Sequence, residues 1–375
     1  MPMDPETFLA VAGLILGLVA GVLLQRTHWC AMGAIADWAV FGSTRRLRAW
    51  ALAVAVAVVG TQGLAAAGLL DLAGTSYLEP VTAVGALALG GLAFGFGMVL
   101  TGGCVSRSLA RAGAGSLRSL FVLLVVALSA QATMTGLLSP LHERVRAMVS
   151  PELAWPGLAE LVAAWLGAGL APTRLGVGLL AAVALLMWAL REPTLRRPSR
   201  ELAAGLGLGL LVVAGWAVNA LAALDPFAEV RPTSLSYVGP TARALFWFVA
   251  GAGSLPSFGA ALALGTLAGA FAAARLTGSF RPEGFVDRRD LLRHLVGGVL
   301  MGTGGTLALG CTVGQGLTGL STLSFGSLLA VGGIVLGARS ALHWLETGRL
   351  VSVPLSRIPL VGARSHVSRE PGDPA

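Results

Sequence analysis

The three cysteines, Cys30, Cys104 and Cys311, carry the most distinctive chemistry in this sequence. They form no Cys-x-x-Cys motif, and no Cys/His spacing supplies four metal ligands, so the sequence predicts neither a paired-thiol redox centre nor a metal site. A single cysteine in an apolar helix is most often a small packing residue. A buried, neutral thiol is also a weak S–H donor. Such a donor attracts a soft, polarizable sulfur anion without trapping it, as conduction through a narrow path requires.

Two of the cysteines end an internal repeat. Residues 91–104 align without a gap with residues 298–311, and Gly, Gly, Gly, Leu, Gly and Cys coincide. Each copy is followed by a second stretch rich in glycine and serine. We interpret each copy as a helix that stops at a Gly-Cys turn and continues as a short helix, whose N-terminal end favours an anion. Side chains at such turns are expected to face a cavity.

The turns add neighbouring residues to the candidate substrate-binding set. Gly103 and Gly310 precede two of the cysteines, and glycine lets the backbone approach a ligand closely. Gln315 follows the second turn, where its amide either reaches the substrate or caps backbone groups at the break. Asp37 lies shortly before Arg46, and we expect a local ion pair between them.

The elements that position these residues are membrane-spanning helices. Charged residues make up only 12% of the chain and fall in short clusters between apolar stretches. These stretches are about 18 to 22 residues long, the length that a helix needs to cross the hydrocarbon core of a bilayer. We therefore predict an all-α membrane protein with about nine transmembrane helices plus short broken or re-entrant helices. The predicted spans are residues 8–24, 49–69, 81–100, 117–137, 175–190, 203–224, 257–274, 291–309 and 323–342.

A single transmembrane domain, residues 1–351, accounts for almost the whole chain. Because transporters are often built from duplicated halves, we divide it into a first half (about 7–137), linking spans (about 155–224) and a second half (about 241–345). Residues 352–375 contain proline, serine and arginine without an apolar period. They are predicted to form a disordered cytoplasmic tail.

A fainter repeat precedes the main one. Residues 17–21, which lead to Cys30, resemble residues 265–269, which lead to Ser279. The separation between the two repeated elements is about 40 residues shorter in the second half, which is about one span plus a loop. The loss of one span reverses the direction of everything that follows. We therefore predict a pseudo-symmetric inverted repeat, in which the two Gly-Cys turns face each other from opposite sides.

The net charge of +8 does not indicate a nucleic-acid-binding protein, because the arginines lie in the gaps between spans rather than along one stripe. The positive-inside rule then places the N-terminus in the periplasm and the C-terminus in the cytoplasm of a bacterium, with the protein in the inner membrane. Arg144, Arg146 and Arg174 fall on the predicted outer side, against the rule.

Three segments resemble the YeeE/YedE sulfur-transport family: residues 26–37, 102–115 and 297–317. The resemblance implies an hourglass-shaped helical protein with about nine spans and a narrow central path. Along that path cysteines pass thiosulfate by S–H···S contacts. The resemblance assigns Cys104 and Cys311 to this path, and Cys30 matches the first cysteine motif of the family.

The sequence departs from the family at one place. Some members carry a further cysteine in the second-half counterpart of the Cys30 motif, where this chain has Gly278-Ser279-Phe280. Either the relay has one step fewer, or Ser279 replaces the thiol, or the substrate differs somewhat from thiosulfate.

Members of the family are often associated with TusA-like sulfurtransferases. The resemblance therefore implies such a cytoplasmic partner, and the arginine-rich loop 275–293 is a candidate docking site. We expect a carrier without a cofactor rather than an enzyme. The alternatives are a transporter for a related species, such as a selenium compound, sulfite or sulfide, a membrane thiol sulfurtransferase that reacts at Cys104 or Cys311, and a scaffold that recruits a sulfurtransferase.

Overall fold

The computed structural model describes residues 4–78, 84–148, 156–225, 230–251 and 253–348. Most of these residues are helical, and two isolated β-bridges join segments between the helices. The prediction of an all-α membrane protein is confirmed. The predicted disordered tail, 352–375, lies outside the described residues.

The described segments contain both long and short helices. The α-helices are α1 (Pro5–Thr27), α2 (Ala31–Phe41), α3 (Arg45–Ala66), α4 (Val84–Leu100), α5 (Val105–Gly113), α6 (Leu117–Met134), α7 (Ser139–Met148), α8 (Leu158–Leu166), α9 (Leu170–Leu190), α10 (Arg200–Ala222), α11 (Val238–Ala250), α12 (Phe258–Leu276), α13 (Arg288–Leu307) and α14 (Phe325–Thr347). A 3₁₀ turn spans Pro193–Arg196, and a π-helical turn spans Gly314–Gly319.

Eight spans within the described residues are long and apolar enough to cross a membrane. They correspond to eight of the nine predicted spans. The remaining prediction, residues 291–309, overlaps α13, which is not among the eight. Its first turns contain Arg288, Arg289 and Asp290, and its second half is rich in glycine, so it is less apolar than the others. It nevertheless packs against both α4 and α6.

Close contacts between glycines join the long helices in pairs. Gly17 of α1 lies opposite Gly265 of α12, and Gly91 of α4 lies opposite Gly333 of α14. Both pairs of helices are parallel, because the contacts advance in the same direction along both chains. Small residues permit this close approach of backbones in membrane proteins. The two glycine motifs of the fainter repeat therefore pack directly against each other.

The two helices of the main repeat, α4 and α13, run antiparallel. Gly97 lies against Gly297, and Gly90 lies against Gly304. The two Gly-Cys turns therefore follow helices that end at opposite ends of the bundle. This is the arrangement that the shortened second half predicts.

The end of the bundle at which α1, α4 and α12 finish is rich in arginine, and we call it the basic end. The expected ion pair between Arg46 and Asp37 is present there, with 3.3 Å between Nε and Oδ2. At the opposite end, Arg174 donates from Nε and Nη2 to Oε1 of Glu160 at 2.9 and 2.6 Å. Its charge is therefore neutralised. The arginines of the basic end include Arg45, Arg46, Arg107, Arg111, Arg200, Arg281 and Arg293.

Candidate functional site

All three cysteines occupy the first position of a helical turn. In each case the backbone oxygen of the cysteine accepts a hydrogen bond from the N–H group four residues later, as an N-cap residue does. The thiols therefore lie where a long helix has stopped and a short one begins. The three bonds are Ala34 N to Cys30 O (3.0 Å), Ser108 N to Cys104 O (2.9 Å) and Gln315 N to Cys311 O (2.8 Å).

A backbone residue in the left-handed region produces each of these breaks. It lies two positions before the cysteine and turns the chain out of the helix direction. The α12 helix ends in the same way. The left-handed residues are His28 (φ 53°) before Cys30, Gly102 (φ 69°) before Cys104, Leu309 (φ 55°) before Cys311 and Gly278 (φ 65°) before Phe280.

This register places Phe280, rather than Ser279, at the position equivalent to the cysteines. The Phe280 ring packs edge-to-face on Phe271, with 5.8 Å between centroids. The guanidinium of Arg275 lies 4.4 Å from the Phe280 centroid. A stack of aromatic rings and a cation therefore occupies the fourth break. Ser279 is exposed beside it, and its hydroxyl lies 2.9 Å from Oγ1 of Thr277.

Cys311 lies fully inside the protein, with 1% of its surface exposed. Its sulfur accepts a hydrogen bond from the Gly314 N–H group at 3.4 Å. The N–H groups of Val313 and Tyr237 are also directed at this sulfur. Since these donors engage the acceptor side of the sulfur, the S–H proton is left to donate to another group.

Cys104 is buried to the same degree, with 1% exposure. Its sulfur lies 3.2 Å from Oγ of Ser106. The thiol lies near both other cysteines, Cys30 and Cys311. Cys104 is therefore the middle member of a series of three thiols.

Both tyrosines of the chain lie near Cys311, although sequence reasoning identified neither. Tyr237 is fully buried, interacts with Cys104 as well, and its hydroxyl lies 3.3 Å from Oγ1 of Thr266. It ends a non-helical segment whose Leu235 carbonyl accepts a hydrogen bond from Thr318 of the π-helical turn at 2.7 Å. The rarity of tyrosine in this sequence was the available signal.

Cys30 is partly exposed and lines a cavity of about 160 Å³ at the basic end. Its sulfur accepts a hydrogen bond from the Gly33 N–H group at 3.4 Å. The cavity is also lined by His28, Arg46 and Arg200. Glu201 lines the cavity as well, so the first cysteine lies among ionisable side chains of both signs, unlike Cys311.

A larger cavity of about 550 Å³ opens beside Cys104 at the same end. Gly102, Arg107, Arg111 and Ser279 are among its lining residues. A side chain at Gly103 would contact Arg107, since a Cβ atom there would lie 3.3 Å from its Cγ. The predicted residues Gly103 and Ser279 therefore belong to the surroundings of one basic cavity.

Gln315 holds the second break together. Its Nε2 donates to the carbonyl of Ala308 at 2.7 Å, and its Oε1 accepts from Oγ of Ser327 at 2.6 Å. A Cβ atom at Gly310 would lie 3.1 Å from Cγ of Gln315. Of the two roles considered for this amide, these contacts correspond to the capping role.

Among the described residues, no group of three or more His, Cys, Asp or Glu side chains is placed to hold a metal ion.

The chain matches the sulphur-transport family over residues 26–339. It is 28% identical over 358 residues to the thiosulfate transporter TsuA of Escherichia coli (strain K12). This alignment covers 89% of this chain and 94% of that protein. It is also 28% identical over 333 residues to the thiosulfate transporter TsuA of Spirochaeta thermophila, covering 87% and 96% of the two chains. The family match includes all three cysteines and most of the membrane helices. This multi-pass membrane protein therefore belongs to the sulphur-transport family.

Proposed function

We propose that the protein imports thiosulfate across a bacterial inner membrane. The observation that carries the proposal is the series of three thiols, in which Cys104 lies near both Cys311 and Cys30. The names of the two TsuA relatives support thiosulfate as the substrate. A path lined by neutral S–H donors suits an anion with a soft terminal sulfur, because each contact is attractive and weak.

In this proposal thiosulfate meets the thiols in the order Cys311, Cys104 and Cys30. The backbone donors around Cys311 leave its S–H group free to donate to the terminal sulfur of the anion. Cys104 then takes over this contact before the ion reaches the basic end. No covalent bond forms at any step, so the cysteines end each passage unchanged. Gly103 and Gly310 shape the turns, and Gln315 positions the second turn through its two hydrogen bonds.

The functional test is uptake of labelled thiosulfate into proteoliposomes that contain the purified protein. Uptake above that of empty liposomes, reduced by excess unlabelled thiosulfate, is the expected result. A carrier for a related species is distinguished by competition, since sulfite, sulfide or a selenium compound would then compete better than thiosulfate. Absence of thiosulfate uptake by the wild type would contradict the proposal. A persulfide or mixed disulfide trapped on Cys104 or Cys311 during turnover would favour a membrane thiol sulfurtransferase instead.

We propose that the basic end faces the cytoplasm, with the N-terminus in the periplasm. Ser279 is exposed at the basic end, and Ser76, which is exposed between α3 and α4, lies at the opposite end. In a variant whose native cysteines are alanine, Ser279→Cys is expected to react with a membrane-impermeant maleimide in inverted vesicles but not in spheroplasts. The matched variant Ser76→Cys is expected to show the reverse. Exchange of the two labelling patterns would overturn the orientation.

A cytoplasmic sulfurtransferase of the TusA type is the partner that we propose at the basic end. The support is the arginine-rich loop between α12 and α13, in which Arg281 lines the basic cavity. A pull-down with purified TusA-like protein, compared between low and high salt, tests this association because exposed charges are screened by salt.

A further inference from the structure

A cluster of arginines surrounds the point at which α1 breaks. His28 interacts electrostatically with Arg107, Arg200, Arg111 and Arg46. Within the described part of the chain, the ion pair found for this group joins Arg46 to Asp37. Of the remaining arginines, Arg107 and Arg111 line one cavity and Arg200 lines the second. Like charges repel at this range, so an anion bound among them would stabilise the arrangement.

Arg107 joins the start of α5 to the end of α1 and to the residues that follow α1. It belongs to the first turn of α5, the helix that begins after Cys104. Its Nη2 lies 3.3 Å from Nδ1 of His28, and its Nη1 donates to the carbonyl of Leu24 at 3.5 Å. It also lies near both Cys30 and Cys104. The guanidinium therefore belongs to the surroundings of both thiols of the basic end.

Arg111 lies one turn further along α5, on the same face as Arg107. Its Nη1 donates to the Gly102 carbonyl at 3.0 Å, which holds the guanidinium beside the Gly-Cys turn. Both arginines line the cavity of about 550 Å³, together with Arg281 and Arg293. Two acidic side chains, Glu283 and Asp290, also line this cavity, and both pair with Arg118.

We propose that Arg107 and Arg111 form a binding site for a tetrahedral divalent oxyanion at the basic end, beside Cys104 and Cys30. A guanidinium presents a planar fork of donors that matches two oxygens of such an anion. At this site thiosulfate binds through its oxygen atoms, whereas the thiols bind its terminal sulfur. This inference deepens the proposed function, because the identification of thiosulfate as the ligand of the site rests on that function.

Sulfate tests the site because it carries the oxyanion charge without a soft terminal sulfur. Purified protein in detergent is titrated with sulfate at constant ionic strength, with chloride as the balancing ion, and its thermal midpoint is recorded. The wild type is expected to show a saturable rise. Arg107→Gln and Arg111→Gln are each expected to raise the half-saturating sulfate concentration by about tenfold or more, because each removes one charge-assisted contact.

Arg288→Gln is the matched control. Arg288 is exposed at the start of α13, at the same end of the bundle, and it does not line the cavity. This variant removes the same charge and is expected to keep the half-saturating concentration within about twofold of wild type. It also corrects for the general stabilisation that sulfate gives to folded proteins. Arg107→Lys retains the charge without the fork and is expected to give an intermediate value.

Two results would overturn the site: no saturable sulfate effect in the wild type, or wild-type titrations in both Arg107→Gln and Arg111→Gln. If Arg107→Gln fails to fold, Arg111→Gln decides alone, since its side chain is exposed. Sulfate titration of the double variant Cys104→Ala/Cys311→Ala separates the two proposals. If this double variant keeps the half-saturating sulfate concentration of the wild type, and the wild-type protein takes up no thiosulfate, the proposed transport function is wrong and the anion site stands.

Discussion

Gly337→Ala is expected to prevent assembly of α14 with α4 and to reduce the yield of folded protein severely. The added methyl group would overlap the backbone carbonyl of Leu92 on α4. Backbone atoms cannot move aside as the end of a flexible side chain can, and α4 is also held on its other face by α13. Overpacking of a well-packed interior costs about 1–3 kcal/mol, and a clash with the backbone lies at the upper end of that range.

Gly332→Ala provides a control in the same helix. No atom lies within 4 Å of a Cβ atom at Gly332, so the methyl group meets open space. Replacing glycine with alanine inside a helix adds about 0.5–1 kcal/mol of stability when space permits. Fluorescence-detected size exclusion and the thermal midpoint in detergent measure both variants. Equal profiles for Gly337→Ala and Gly332→Ala would contradict the close packing of α4 and α14.

Cys311→Ala and Cys104→Ala are each expected to lower the initial rate of thiosulfate uptake by about tenfold to a hundredfold. Both thiols are buried, so an anion that passes them has little water to replace a lost S–H contact. A hydrogen bond to a charged group contributes about 1.5–3 kcal/mol, and each 1.36 kcal/mol corresponds to about a tenfold change in rate. Initial rates of labelled uptake into proteoliposomes measure the effect.

Three controls accompany these variants. The thermal midpoint establishes that each variant is folded. Cys311→Ser and Cys104→Ser keep a donor with a harder atom and are expected to retain part of the uptake. Cys30→Ala is expected to have a smaller effect, because Cys30 is partly exposed and lines a cavity that also contains arginine. Wild-type rates in both Cys311→Ala and Cys104→Ala would disprove the relay while leaving thiosulfate transport possible by another path.

Features set by local sequence could be predicted. The breaks at the cysteines depend on residues next to them, and the ion pair between Asp37 and Arg46 joins neighbours along the chain. The reversal of direction between α4 and α13 depends only on the number of spans between the repeats. The antiparallel direction of the two helices could therefore be predicted from the spacing of the repeats, whereas the contact of Gly97 with Gly297 could not.

Features set by distant segments were not predicted. Tyr237 approaches Cys311 because a non-helical segment passes the π-helical turn, and no periodic pattern indicates such a crossing. The contact of Arg107 with the end of α1 joins Arg107 to Leu24, 83 positions earlier in the chain. The sequence also could not show that Phe280, rather than Ser279, matches the cysteines at the fourth break. That register depends on the backbone angle of Gly278 rather than on the residue types around it.

The stack at Phe280 makes the two ends of the bundle chemically unequal. Three of the four breaks, those at Cys30, Cys104 and Phe280, follow helices that finish at the basic end, and the break at Cys311 lies at the opposite end. At Phe280 an aromatic ring packed on Phe271 and Arg275 takes the place of a thiol. In the proposed path, two thiols therefore serve the basic end and one serves the opposite end, so an ion meets a different number of sulfur donors at each side of the membrane.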